Sequence, residues 1–361
     1  MKLNSNTIVK EDCFKIIKDN QRILKQLDGK RILITGANGF LMSYLVDVIA
    51  YWNHFFSKKK CLIFALDNSS NFKRLSYLKG RKDIKLINQD ICNIKKIEKN
   101  IQYIVHGASI ASPPFYRKFP LQTLDANIIG TRKILENIKK NKNFKSFLFL
   151  STSEVYGDPS SKFIPTSENY NGNVSFTGPR ACYDESKRVG ETICNIFAQT
   201  YKLPIKVVRL FNVYGPLQDL NDKRITPDLM KYALNNKKII LFGGNATRTF
   251  CYVSDAISAM LKILLIKQTK ILTFNIGHDR NEITIKKLSN IFSEIVFGIL
   301  NKKLQVILKK SNDKNYLKDN PVRRRPNINL AKKELNWRPK IDIYTGLTRT
   351  LKSYLNGTEK K

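Results

Sequence analysis

The chain has 361 residues and carries 64 Lys and Arg against 29 Asp and Glu, a formal charge of +35. With 42% hydrophobic and 10% aromatic residues it holds enough apolar side chain to offset the entropy of ordering, which excludes a mainly disordered, collagenous or low-complexity chain. So much positive charge points first to nucleic acid, but the basic residues are scattered over many segments and not interleaved with aromatics on one element, so no nucleic-acid partner is expected.

The N-terminus lacks the apolar core and cleavage site of a secretory signal. Residues 11–27 instead predict an amphipathic helix, with Ile16, Ile17, Ile23, Leu24 and Leu27 on one side. No apolar run reaches the roughly 18 residues that span a bilayer, so no membrane partner is expected. The six cysteines form no CxxC pair and the three histidines are isolated, which argues against a disulfide framework or a metal centre and for a reducing cytosol.

A short apolar strand at 31–34 leads into Thr35-Gly36-Ala37-Asn38-Gly39-Phe40 and a helical stretch to about Trp52. Further apolar runs lie at 61–66, 84–87, 103–106, 146–150 and 205–209, separated by helical patterns, notably 124–140 and 183–201. This alternation predicts an α/β fold, a Rossmann-like doubly wound parallel sheet covered on both faces. Beyond about Gly215 the pattern loosens around several Pro and Gly, which predicts a smaller C-terminal α/β substrate-binding lobe. The expected division is an extension over 1–29, a cofactor domain over 30–215 with 248–265, and a lobe from 216–247 and 266–361.

Gly36-x-x-Gly39 between strand and helix suits a pyrophosphate, because backbone amides approach phosphate oxygens there and the helix N-terminus is partly positive. Asp67, ending the next strand, is placed to accept both hydrogen bonds of an adenosine ribose diol and to repel a 2′-phosphate, which favours NAD over NADP. The third glycine usual in such turns, three residues after Gly39, is Met42 here. Downstream, Tyr183 and Lys187 are an i, i+4 pair on one helix face, where an ammonium is expected to lower the Tyr pKa and make it a usable base. Ser151-Thr152-Ser153-Glu154 follows an apolar strand and places hydroxyls and a carboxylate at its C-terminal end, where open α/β sheets bind ligands.

These segments, with Ser112-Pro113-Pro114-Phe115-Tyr116, Gly178-Pro179-Arg180-Ala181-Cys182-Tyr183-Asp184-Glu185, Phe211-Asn212-Val213-Tyr214-Gly215, Thr247-Arg248-Thr249-Phe250 and Arg324-Arg325-Pro326-Asn327, resemble the extended short-chain dehydrogenase/reductase family, and within it the UDP-glucuronate decarboxylases. The resemblance runs from about Lys30 to about Tyr354. It implies a tightly held NAD, with Gly36, Asn38, Gly39, Phe40, Leu41, Asp67, Asn68, Asp90, Ile91, Ala108, Tyr183 and Lys187 at the cofactor. It further implies that Tyr183 takes the C4 hydroxyl proton, Lys187 binds the nicotinamide ribose, and Thr152 donates to the C4 oxygen as it becomes a carbonyl. Glu154 and Ser153 would assist loss of carbon dioxide or reprotonate C5, with Arg324 and Tyr116 near the carboxylate. Pro113, Tyr116, Asn212, Arg224, Arg248 and Arg324 are the candidates for the nucleotide sugar.

Position 153 separates neighbouring readings: related 4,6-dehydratases carry Asp there to protonate a leaving hydroxyl, whereas 4-epimerases lack the following Glu. Ser153 and Glu154 therefore fit a decarboxylase best. A UDP-hexuronate 4-epimerase, a 4,6-dehydratase or a non-catalytic NAD-binding relative stay open as alternatives. Leu217 and the stretch Asn221-Asp222-Lys223-Arg224 depart from the decarboxylase pattern near the substrate lobe. Relatives pair helices like 124–140 and 183–201 into a four-helix bundle, which implies a homodimer.

Overall fold

The computed structural model describes residues 2–267, 272–280, 282–311, 313 and 318–358. Six strands arise from the short apolar runs: β1 (Arg31–Thr35), β2 (Leu62–Asp67), β3 (Ile84–Asn88), β4 (Tyr103–His106), β5 (Ser146–Thr152) and β6 (Ile205–Leu210). A further strand, Leu272–Ile276, pairs parallel with β6, so this segment joins the main sheet and not the C-terminal lobe to which its position in the chain assigned it. The order is Leu272–Ile276, β6, β5, β4, β1, β2, β3. Every neighbouring pair is parallel. All seven residues of β5 are buried, as expected of a strand covered on both faces.

The sheet is the doubly wound arrangement that the alternation predicts. From β1 the chain winds outward through β2 and β3, then returns to β4 on the other side of β1. That reversal opens a crevice beyond the C-terminal ends of β1 and β4, where sheets of this kind bind ligands.

The helix predicted over 11–27 runs as α1 (Thr7–Leu24) and a tight 3-10 turn, with Asn6 capping it by accepting from the Ile8 and Val9 amides. The helix after β1 is α2 (Phe40–Phe55). The predicted helix at 124–140 starts earlier and is broken: α3 (Pro113–Lys118) and α4 (Pro120–Asp125) each open on Pro, a π-helical turn covers Ala126–Gly130, and α5 (Thr131–Ile138) completes the run. The longest helix, α6 (Ala181–Tyr201), ends where Lys202 turns left-handed.

The remainder supplies α7 (Ile225–Leu234), α8 (Val253–Leu265), α9 (Ile285–Leu300), α10 (Asn329–Leu335) and α11 (Ile343–Thr358). Short strands join them. Arg323–Arg324 pairs parallel with Thr247–Arg248, in a register that sets Arg324 beside Arg248. Among the described residues no helix is long and apolar enough to cross a membrane.

Candidate active site

The predicted cofactor residues converge on the C-terminal ends of β1 to β4. Gly36 sits at φ +69, and a Cβ there would lie 2.8 Å from the Ala108 backbone, so the turn needs glycine for both conformation and space. Gly39 caps α2 with no side chain of its own, leaving the first amides of the helix open to an anion. The Asp67 carboxylate accepts from the Asn38 amide at 3.0 Å and the Ser69 amide at 2.9 Å, while the Asn38 side chain reaches Ser69 Oγ and accepts from the Arg74 amide. Asn68 follows Asp67, and Phe40 and Leu41 begin α2. Asp90 caps the turn Ile91–Asn93, and the Ala108 amide donates to Thr35 Oγ1. A glycine turn, an uncapped helix start and a carboxylate at the end of β2 fit the pyrophosphate and ribose of a dinucleotide.

Beside this cradle stands the predicted catalytic group. Thr152 ends β5, and its hydroxyl accepts from the Glu154 amide and hydrogen-bonds the Tyr183 phenol. Behind the turn, Ser151 donates to Glu191, which Arg209 holds through several hydrogen bonds, and Arg209 continues to Tyr156. This buried chain fixes the turn that carries Thr152, Ser153 and Glu154.

The Lys187 ammonium donates to the Leu150 carbonyl at 2.7 Å and lies 6.0 Å from the Tyr183 ring centroid. Burial lowers its pKa to about 7. The expectation that Lys187 depresses the Tyr183 pKa is not met: burial pushes the phenol above its ordinary value, the Glu154 charge adds to the rise, and the Thr152 hydrogen bond and Arg224 only partly offset them.

Glu154 lies at the centre of a basic cluster. Arg324 holds it in two bonds of 2.5 and 2.6 Å, and Arg180 adds a third at 2.5 Å. Burial opposes its charge, but the guanidinium groups win and hold the carboxyl well below the usual range. Tyr116 of α3 stacks on Tyr183 with centroids 5.1 Å apart and planes at 7°, and Arg180 lies over the Tyr116 ring. Four buried polar atoms around this cluster have no hydrogen-bond partner among the described residues: Tyr116 Oη, Asp184 Oδ1, Arg180 Nε and Arg324 Nε.

The other substrate candidates are divided. Arg224 is held by Asp222, whose carbonyl accepts from Ser112 just before Pro113 opens α3; Tyr183 and Glu154 contribute to the field that raises the Arg224 pKa. Arg248 spends donors on the Thr247, Pro321 and Val322 carbonyls and on Asn320, so it braces the turn that leads to Arg324. Asn212 likewise donates to the Thr249 carbonyl at 2.8 Å. Arg180 and Asp184 had no role assigned from sequence. Their i, i+4 spacing around Tyr183 was the available signal, and they meet at 3.6 Å.

Residues 32–277 match the NAD dependent epimerase/dehydratase family. The chain is 34% identical over 336 residues to UDP-glucuronic acid decarboxylase 1 of Xenopus tropicalis, spanning 91% of this chain and 73% of the relative. Among solved structures it resembles the UDP-glucose 4-epimerase of Thermotoga maritima with UDP-glucose, at TM-score 0.76, 25% identity and coverage of 91% and 99% of the two chains. The dTDP-glucose 4,6-dehydratase of Bacillus anthracis, in complex with NAD, gives TM-score 0.70 and 26% identity over 91% of this chain and 98% of that one. With its glycine turn, its Tyr183 and Lys187 pair and these similarities, the chain belongs to the NAD dependent epimerase/dehydratase family.

Proposed function

We propose that the chain converts UDP-glucuronate to UDP-xylose with NAD as a resident cofactor. The observation that carries this reading is Glu154 clamped by Arg324 and Arg180 beside Thr152 and Tyr183. It sets an anion-binding arginine pair next to the residues that act on a sugar hydroxyl. The decarboxylase relative supports the reading.

Bound NAD supplies the electron-pair acceptor for C4 and a positive ring charge that favours the phenolate. Tyr183 exchanges a proton with the C4 hydroxyl, and Thr152 donates to the C4 oxygen as its charge changes. The C4 ketone is β to the C6 carboxylate and accepts the electrons released as carbon dioxide leaves. Arg324 and Arg180 orient the carboxylate, with Tyr116 stacked on Tyr183 beside them. Arg224 is the candidate for the diphosphate, and the exposed apolar side chains of α4 and α6 support a homodimer.

The purified protein incubated with UDP-glucuronate, with and without added NAD, and followed by NMR tests the reading. UDP-xylose or its 4-keto precursor together with carbon dioxide supports it; UDP-galacturonate, or turnover of a dTDP- or GDP-hexose only, overturns it. Tyr183→Phe is expected to lose turnover while keeping the wild-type circular dichroism spectrum. Full activity in that variant rules out the role given to its hydroxyl.

A further inference from the structure

Asp67 is the residue expected to distinguish NAD from NADP, and this inference rests on that role. Its carboxylate ends β2, and the loop after it leads to the tight 3-10 turn Lys73–Leu78. Asn68, Ser70 and Asn71 in this loop are exposed, so apolar packing does little to hold it there. Phe72, buried at φ 45, and Leu75 and Leu78 of the turn anchor only its far end.

Hydrogen bonds hold the near end. The Asn38 amide donates to Asp67 Oδ2, its side-chain nitrogen donates to Ser69 Oγ, and its side-chain oxygen accepts from the Arg74 amide. Asn38 therefore joins the glycine turn, the Asp67 carboxylate and the start of the 3-10 turn. Where that turn sits decides where the Asn38 side chain, and with it the Asp67 loop, comes to rest.

Three residues beyond Arg74, Tyr77 is tied from behind. Its hydroxyl donates to Asp47 Oδ1 at 2.5 Å, while the Asn4 side chain donates to Asp47 Oδ2 at 2.8 Å and to the Tyr77 oxygen at 3.3 Å. The side chains close a triangle in which each pair is bonded. Asp47 of α2 is fully buried and Asn4 is 8% exposed, so water is poorly placed to replace these bonds. Asn4 is itself fixed: its carbonyl accepts from the Tyr51 hydroxyl at 2.6 Å, and its side-chain oxygen accepts from the Asn6 amide. Asn6 caps α1 and donates to the Ser353 carbonyl of α11. Lys2 adds a clasp beyond the turn, donating to the Lys79 carbonyl and accepting from Arg81 at its own carbonyl.

We propose that Asn4, Asp47 and Tyr77 brace the adenosine-ribose loop, so that the segment before α1 sets the preference for NAD over NADP. They are positioning residues, acting on Asp67 through the 3-10 turn, the Arg74 amide and Asn38. With the brace intact, Asp67 is held to accept from the ribose diol and to repel a 2′-phosphate. With it released, the turn shifts, the carboxylate loses its fixed direction, and the penalty on a 2′-phosphate falls.

The test is a competition on the NAD-loaded protein, in which unlabelled NAD or NADP displaces radiolabelled NAD. The ratio of the concentrations for half displacement, NADP over NAD, reports the preference. Wild type is expected to favour NAD, and Asp67→Asn to lower the ratio strongly. Asn4→Ala and Tyr77→Phe are each expected to lower it by about 3- to 10-fold, the size of one net hydrogen bond. Their double variant should fall no further than the worse single one, because both break the same brace. General loosening of the fold would weaken both dinucleotides alike and leave the ratio where it was. An unchanged ratio in the single variants, or a double variant at the product of their effects, overturns the brace. A wild type without preference, or a ratio that Asp67→Asn does not lower, overturns the role given to Asp67 and this inference with it.

Discussion

Met42 replaces the glycine that usually lets the helix after the first strand lie close to the sheet, and Gly107 shows how the packing is kept. A Cβ at Gly107 would lie 2.7 Å from Met42 Cγ and Sδ, and Met42 is 2% exposed. The missing side chain has moved from the helix to the end of β4, so the sequence departure does not by itself distort the cofactor turn. Gly107→Ala should therefore lower stability by about 1–3 kcal/mol in urea unfolding. Met42→Ala should relieve the clash, so that the double variant loses less than the sum of the single ones. Strict additivity would show that the two side chains do not meet.

Glu154 supports a second prediction at this scale. Glu154→Gln leaves Arg324 and Arg180 facing each other with no countercharge, at a cost of about 3 kcal/mol at neutral pH. The folded-state pKa lies below the unfolded value, so this stabilisation is present above the ordinary glutamate range and is lost as pH falls through and below it. The stability gap between wild type and variant should accordingly narrow on acidification below about pH 4. A gap that is constant with pH would mean that the charge is not what stabilises.

Among the elements, α1 shows most plainly what the tertiary structure adds. Its apolar face was readable from periodicity, and Ile16, Ile17 and Leu24 are buried as that face requires. Periodicity also placed Asp12 on a helix without marking it as buried. The structure surrounds it with Tyr44 of α2 at 2.6 Å, Tyr252 before α8 at 2.8 Å and Arg349 of α11 at 2.8 Å. One carboxylate thus ties the extension to the cofactor domain and to the last helix. Asp12→Ala strands two phenols and a guanidinium in the interior and should cost about 3–5 kcal/mol, read as a shift in the urea midpoint. A loss below about 1 kcal/mol would mean that solvent reaches those groups.

The strands were legible because short apolar runs between turn residues have few other ways to fold. The broken run α3, α4, the π-helical turn and α5 was not, because prolines at the starts of α3 and α4 and the wider turn override a continuous helical pattern. Leu272–Ile276 was misplaced for another reason: its partner β6 lies more than sixty residues earlier in sequence, and pairing over that distance leaves no local trace.

For the whole molecule, charge and apolar surface carry separate messages. Leu121 is 71% exposed and Ile196 is 52% exposed, with Leu124, Ile129, Val189 and Tyr201 also open on α4, the π-helical turn and α6. Such a face supports the proposed homodimer, since water-exposed aliphatic side chains gain from mutual burial. Wild type is expected to run as a dimer in light scattering on a sizing column, and Leu121→Glu with Ile196→Glu to run as a monomer. A dimer that persists in this variant would place the interface elsewhere.

By itself the sequence determined the doubly wound sheet, the glycine turn at Gly36 and Gly39, Asp67 at the end of β2, and the pairing of Tyr183 with Lys187. Each is encoded within a strand, a turn or a helix turn, where neighbouring residues dictate geometry. The +35 charge remained ambiguous at that level, because composition does not say which cations share a cavity. Tertiary structure decided that Arg180 and Arg324, 144 positions apart in number, close on one carboxylate of the β5 turn. It also decided that Asp184 is left short of partners and that Arg248 spends its donors on backbone carbonyls. Protonation depends on which distant charges and how much water surround a group, and only the folded chain brings those neighbours together.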